Sequence, residues 1–103
     1  MQIIPLENTP NQSFNIVLGE YNCVLHLYQR GEYLYLDLTA DSVVIRQGAI
    51  CLVDVDILNY KNNNFSGYLF FSDLMGLYGT PNYTELGSRY VLFFATEDEI
   101  ENV

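Results

Sequence analysis

Residues 28–38 read YQRGEYLYLDL and decide the fold of the chain. The QRGE segment has the composition of a tight turn, in which Gly31 is able to take a positive φ. After it, leucines alternate with Tyr33, Tyr35 and Asp37, the period of two that places alternate side chains on opposite faces of a β-strand. The leucine face is predicted to enter the core. The tyrosine face either contacts a neighbouring chain or packs against residues 74–86 of the same chain, and the sequence leaves both possibilities open.

The same alternation continues along most of the chain. Apolar residues recur at period two, and turn segments separate the runs about every ten residues. Gly48 interrupts one apolar, β-branched run and is typical of a β-bulge or sharp bend. These patterns predict an all-β fold, a small antiparallel β-barrel or sandwich of about 6–8 strands. The strands are predicted within 14–19, 23–28, 33–38, 43–58 (one or two strands), 66–73 and 89–95.

The chain divides into three parts. Residues 1–12 contain two prolines and are predicted to form an N-terminal arm or edge strand, because proline cannot donate a ladder hydrogen bond. Residues 13–96 form the predicted β-barrel domain, and residues 97–103 form an acidic tail that is expected to fray. Inside the domain, 59–65 is a polar loop. Residues 74–86 are a long excursion, and loops of this length are usually functional or disordered.

Composition and charge narrow the function. The chain has 103 residues, 50% hydrophobic and 17% charged, which suits one globular domain. A net charge of −9 disfavours nucleic acid and anionic membranes as partners, and commonly it only keeps a small domain soluble. Cys23 and Cys51 lie in apolar runs and are predicted to be buried thiols. We find no secretory signal and no apolar run near the roughly 20 residues of a membrane span, so a reducing cytoplasm is expected.

Catalytic chemistry has little support in the sequence. His26 is the only histidine, and a lone strand histidine is usually structural. Asp54 and Asp56 form a D-x-D that places both carboxylates on one face of a strand, a spacing found in metal and glycosidase sites but also by chance. Phosphate-binding, hydrolase and zinc-protease motifs are absent from the sequence. The chain is therefore predicted not to be an enzyme and to have no catalytic residue, metal or cofactor.

Residues suited to protein contacts are more abundant. Nine residues are tyrosine, which has an apolar ring and a polar tip and suits interfaces, although it also simply favours strands. Arg89 precedes the last strand and is expected to pair with a carboxylate of this chain or of a neighbour. The candidate interaction residues are Pro5, Pro10, Asn11, Gln12, Tyr33, Tyr35, Tyr78, Tyr83 and Arg89.

Four local motifs occur in a characteristic order. They are IPL at 4–6 with TPNQ at 9–12, YLDL at 35–38, GAICL at 48–52 with VDIL at 55–58, and LGSRY at 86–90. Their order and spacing over residues 3–96 resemble the baseplate plug family of contractile-tailed bacteriophages, first described from a cyanophage baseplate. The resemblance implies a small β-barrel-like structural protein of the virion that has no enzymatic activity.

The resemblance also implies a place and partners. The chain would act as a central plug or hub component where the tail tube meets the hub and spike, in tail assembly and closure. Expected partners are copies of itself in a threefold or sixfold ring, the baseplate hub and spike, the tail tube and the tape-measure protein. The arm 1–12 and the excursion 74–86 would reach these neighbours. The expected location is the virion baseplate, and the host cytoplasm during assembly.

Two other classes of function remain as alternatives. The first is an acidic soluble binding protein that mimics DNA and occupies a basic site on a host factor. Many of the acidic residues of this chain lie in the tail 97–103, and this arrangement poorly imitates the rows of phosphate charges along a DNA duplex. The second is a small enzyme that uses Asp54 and Asp56 with His26.

Overall fold

A computed structural model describes residues 1–58 and 64–101 of the chain. Most of the predicted polar loop, residues 59–63, lies outside this range. In the part of the chain that the structure describes, seven strands form two antiparallel sheets, one of three strands and one of four. The all-β prediction and the number of strands are confirmed. The sheets do not close into a barrel, so the barrel alternative is wrong and the layered alternative is right.

The four-stranded sheet is a meander of consecutive strands. Its order is β2-β3-β4-β5, and its strands span Asn11–Leu18, Tyr21–Arg30, Tyr33–Ala40 and Val43–Ile50. Two-residue turns join each pair, as the turn compositions predict. In the QRGE turn Gly31 has φ +60°. Residues 51–58 do not form the second strand that the apolar run 43–58 allowed, so this run supplies one strand.

The three-stranded sheet joins the two ends of the chain. Its order is β1-β7-β6, with β1 at Gln2–Ile4, β6 at Tyr68–Asp73 and β7 at Tyr90–Ala95. The edge strand β1 falls inside the predicted arm and ends directly before Pro5. Residues 53–57 run along the other edge of β6, where the Asp54 and Ile57 amides donate to the Phe71 and Leu69 carbonyls at 2.9 and 2.7 Å.

The inner faces of both sheets share one hydrophobic core. The leucine face of the opening stretch is completely buried, since Leu34, Leu36 and Leu38 are each 0% exposed. Leu69 and Phe71 of β6 and Leu92 and Phe94 of β7 enter the same core from the other sheet. Both predicted thiols, Cys23 and Cys51, are buried, and burial raises the pKa of each.

Gly48 forms the predicted bulge in β5. The pairing between β4 and β5 shifts register around Asp37, and Gly48 has φ +62°, a conformation that L side chains rarely adopt. The bulge aims the Gly48 amide at Asp37 Oδ1, 2.7 Å away. The bend therefore ties the edge strand to a carboxylate on the outer face of its neighbour.

The C-terminal tail differs from the prediction. Instead of fraying, residues Glu97–Glu101 form a short helix, α1. Thr96 and Glu99 form a capping box, in which the Thr96 amide donates to Glu99 Oε1 at 3.0 Å and the Glu99 amide donates to Thr96 Oγ1 at 3.3 Å. Glu99 also pairs with the N-terminal amine of Met1, which lowers the pKa of that carboxyl.

Candidate interaction surfaces

The excursion 74–86 consists of an exposed half and an anchored half. The exposed half carries four large apolar side chains, which we call the apolar tip: Leu74, Met75, Leu77 and Tyr78, exposed by 60, 61, 64 and 75%. In the anchored half Pro81 and Leu86 are buried and Tyr83 packs against the core. The Gln29 side chain accepts a hydrogen bond from the Tyr83 amide at 3.2 Å.

A carboxylate at the end of β6 holds the apolar tip in shape. The side chain of Asp73 is only 2% exposed, and its two oxygens accept a bidentate pair of hydrogen bonds from Arg89 at 3.0 and 2.9 Å. The same oxygens accept the amides of Met75 and Gly79, each at 2.9 Å. Hydrogen bonds from Arg89 lead the causes that hold the pKa of Asp73 well below its usual range. The Asp73–Arg89 pair therefore closes the loop at its base.

The loop backbone fits only a narrow choice of residues. Tyr78 has φ +53°, unusual for a residue with a side chain. A Cβ at Gly79 would collide with the Tyr90 hydroxyl and the Arg89 guanidinium, so a larger residue there would displace the ends of these two side chains. The backbone of the apolar tip is thus held in one conformation by contacts within the chain itself.

The tyrosine face of the four-stranded sheet is largely satisfied within the chain. Tyr35 stacks on Tyr28 with ring centroids 6.0 Å apart, and the Tyr28 hydroxyl donates to Asp37 Oδ1 at 3.2 Å. His26 Nδ1 lies 3.4 Å from Asp37 Oδ2. Tyr33 remains 38% exposed beside this cluster. Because these partners lie on the sheet itself, Tyr35 is half-buried without a neighbouring chain.

Of the arm residues predicted for contacts, Asn11 and Gln12 begin β2 and Pro10 directly precedes it. The Pro10 carbonyl accepts from the Gln29 amide at 2.8 Å, and the Gln12 amide side chain pairs with the backbone of Glu7 at 2.7 and 3.1 Å. Asn11 Oδ1 lies 3.0 Å from His26 Nε2. Pro5 is exposed. The arm is therefore built into the domain by side-chain amides.

Arg89 pairs within the chain, the first of the two options that the sequence left open. Its guanidinium also reaches Glu85 at 3.4 Å. Asp73 as the partner of Arg89, and the exposed side chains of Leu74, Met75 and Leu77, were not predicted from the sequence. The signal was present, since an aspartate at a strand end followed by glycines is typical of a turn whose carboxylate accepts backbone amides.

The residues of the enzyme alternative lie apart. His26 belongs to the outer face of the four-stranded sheet, whereas Asp54 and Asp56 lie beside β6 of the other sheet. Asp56 accepts the Leu58 and Leu69 amides, each at 3.2 Å. Within residues 1–58 and 64–101, no group of three acidic, histidine or cysteine side chains is arranged to hold a metal. No helix of the described chain is long and apolar enough to cross a membrane.

Comparison with known proteins supplies the context for these surfaces. The family model described as Cyanophage baseplate Pam3 plug gp18 matches residues 1–97. The match confirms the resemblance that the four motifs indicate. A search of the curated proteins found no match.

Proposed function

The chain belongs to the cyanophage baseplate plug family, and we propose that it works in the phage tail baseplate as a central plug at the junction of tube, hub and spike. Membership in a family of baseplate proteins indicates a structural role in the virion and association with other baseplate components. The finer assignment, to the junction and to tail assembly and closure, is the proposal. It is supported by a domain that has a packed core and exposed apolar side chains at particular places on its surface.

The observation that carries the proposal is the apolar tip. Its four neighbouring apolar side chains are 60–75% exposed. Exposing them to water costs free energy, and a soluble monomer gains nothing from that exposure. The Asp73–Arg89 pair fixes the loop, as expected of a side-chain cluster that enters a pocket of another protein. In this proposal the tip docks into the neighbouring baseplate subunit, whether a copy in a threefold or sixfold ring or the hub.

The negative charge of the chain fits a position near the path of DNA. With net charge −9, the surface repels phosphates, so passing DNA does not adhere. Arg89, one of four cations in the sequence, is already paired with Asp73 and Glu85. The protein therefore acts through protein contacts with tube, spike or tape-measure protein, and not through sequence-specific contacts to nucleic acid.

The test of this proposal removes the apolar tip while leaving its base intact. In the double variant Met75→Ser/Leu77→Ser, the purified protein should keep its melting temperature, because both side chains are exposed. Phage lacking the wild-type gene and supplied with this variant should contain at least about tenfold less of the protein in purified tails, as expected for loss of an interface hot spot. Quantitative mass spectrometry of the tails measures the change.

A control variant removes two exposed apolar side chains from a different surface. Val24 and Val44, exposed by 42 and 56%, lie on the outer face of the four-stranded sheet, and Val24→Ser/Val44→Ser should enter tails normally. Normal entry of the tip variant, or equal loss with the control, would contradict the assignment of the tip as the docking element.

A further inference from the structure

The outer face of the three-stranded sheet carries an apolar row that crosses the whole sheet. Ile3 of β1 pairs with Phe93 of β7, which pairs with Phe70 of β6. Val55, in the segment along the free side of β6, lines a depression of about 300 Å³ together with Phe70. We call Ile3, Phe93, Phe70 and Val55 the apolar stripe.

The stripe is open at both ends and aromatic at its centre. Ile3 is 60% and Val55 48% exposed, while Phe70 and Phe93 are half-buried and stack with ring centroids 5.5 Å apart. Aromatic side chains at the centre of an apolar patch are the groups that dominate protein interfaces. Ile100 of α1 borders the same depression and extends the patch.

In β6 and β7, the two strands that carry these phenylalanines, apolar and polar residues do not alternate. Residues 68–71 read YLFF and residues 90–94 read YVLFF, the pattern of strands that are buried on both faces. The inner residues Leu69, Phe71 and Leu92 are buried in the core, yet their outer neighbours Phe70 and Phe93 are not. The chain therefore covers the ends of this outer face, where Val91 and Ala95 are 9% and 0% exposed, and leaves its centre at Phe70 and Phe93 only half-buried.

Charge indicates what covers this face. Asp54 and Asp56 line the depression beside Phe70, and α1 begins with three acidic residues directly after β7. Among the described cations, Arg30 and Arg46 belong to strands of the other sheet, and Arg89 is paired with Asp73. The N-terminal amine of Met1 lies beside α1 and is paired with Glu99, which leaves Glu97 and Asp98 as the other carboxylates of its first turn. The border of the stripe is therefore acidic over the part of the chain that the structure describes.

From these observations we propose that the apolar stripe docks a different baseplate protein, one that presents an apolar patch bordered by lysine or arginine. A second copy of this chain does not fit, because two acidic borders would face each other across the contact. The choice of a baseplate partner rests on the proposed function, but the surface is separate from the apolar tip. The chain would then hold one neighbour by its tip and a basic one by its sheet.

The experiment measures binding of the purified chain to each purified baseplate protein of the phage that encodes it, at low and high salt. One basic-bordered partner should bind, and Ile3→Thr/Val55→Thr should weaken it by at least about tenfold, because the patch loses apolar area at both ends. Both side chains are exposed and threonine keeps their β-branched shape, so the melting temperature should stay the same. Asp54→Asn, which tolerates the φ of +59° there, should weaken binding severalfold at low salt only.

The outcomes separate this inference from the proposed function. Val24→Thr/Val44→Thr should bind like the wild type, and so should the tip variant Met75→Ser/Leu77→Ser. If no baseplate protein depends on Ile3 and Val55, or if these residues instead hold two copies of the chain together in sedimentation experiments, the inference is overturned. If the tip variant fails to enter tails but no partner depends on the apolar stripe, the proposed function is supported and the present inference is wrong.

Discussion

The outer side chains of β4 differ in character from those of the three-stranded sheet, although the inner faces of the two sheets are alike. On the four-stranded sheet the outer side chains of β4 are Tyr33, Tyr35, Asp37 and Thr39, and of these Tyr35 and Asp37 contact Tyr28 of the neighbouring strand. On the three-stranded sheet the outer row of Ile3, Phe93 and Phe70 has no polar side chain. In β4 strict alternation accompanies an outer row with polar groups that bond to one another, and in β6 and β7 the loss of alternation accompanies an apolar outer row.

The carboxylates of the two sheets show the same difference. Asp37 is 31% exposed and accepts hydrogen bonds from a tyrosine and from the bulge amide of Gly48. Asp73 is 2% exposed and fixes a loop whose side chains project into solvent. One carboxylate therefore completes the sheet on which it lies, and the other organises a protruding surface.

The largest expected effect concerns the inner faces of the two sheets, where leucine-to-alanine substitutions should destabilise the fold by similar amounts. Leu36→Ala in β4 and Leu92→Ala in β7 each remove a side chain that is 0% exposed. Each should lower the free energy of unfolding by about 2–5 kcal/mol, through lost burial and the cavity left behind. Urea unfolding followed by circular dichroism measures both. A large loss for one leucine and none for the other would mean that the sheets do not share a core.

The stability that Asp73 provides should depend on pH. The folded pKa of Asp73 lies below its unfolded value of about 3.9, so ionised Asp73 stabilises the fold above that pH and the contribution is lost as pH falls through the folded pKa. Wild type should be more stable than Asp73→Asn at neutral pH, and the gap in melting temperature should narrow as the pH is lowered below about 4.

Thermal unfolding at a series of pH values measures this gap. Glu20→Gln, in the exposed turn between β2 and β3, removes one charge without touching the loop and serves as the control. Limited proteolysis at neutral pH should cut Asp73→Asn within residues 74–79 before wild type, because the Met75 and Gly79 amides lose their ionised acceptor. A constant gap across pH would assign the stabilisation to groups other than the Asp73 carboxylate.

Much of the architecture was predictable because it depends on local periodicity. The leucines at 34, 36 and 38, the turn at Gly31 and the bulge at Gly48 each follow from residue type and position. Closure was not predictable, because whether seven strands form a barrel or two layers depends on contacts between residues far apart in sequence. The short helix was missed although the T-E-D-E of its capping box is visible at 96–99.

The candidate surfaces were predictable only in part. The excursion 74–86 was located by its length and glycines, and Tyr78 is the most exposed side chain of its tip. Its division into an exposed tip and an anchored half depends on the Asp73–Arg89 pair, which joins residues 16 positions apart. Tyr83 was predicted from the sequence as an interaction residue, whereas the fold packs it against the core of its own chain. Pro81, which the sequence did not single out, is buried as well.

The smallest expected effect tests whether the tyrosine face really satisfies itself. Asp37→Ala removes the acceptor of the Gly48 amide and of the Tyr28 hydroxyl, and should cost about 1–2 kcal/mol of unfolding free energy, since the cluster is only partly buried. Its control, Thr39→Ala, lies on the same face of β4 and should cost less than about 0.5 kcal/mol. If Asp37→Ala costs no more than Thr39→Ala, the contacts around Asp37 do not hold the bulge. Tyr35 and Tyr33 would then be available to a neighbour, as on the other sheet, and the difference between the two outer faces would be one of composition alone.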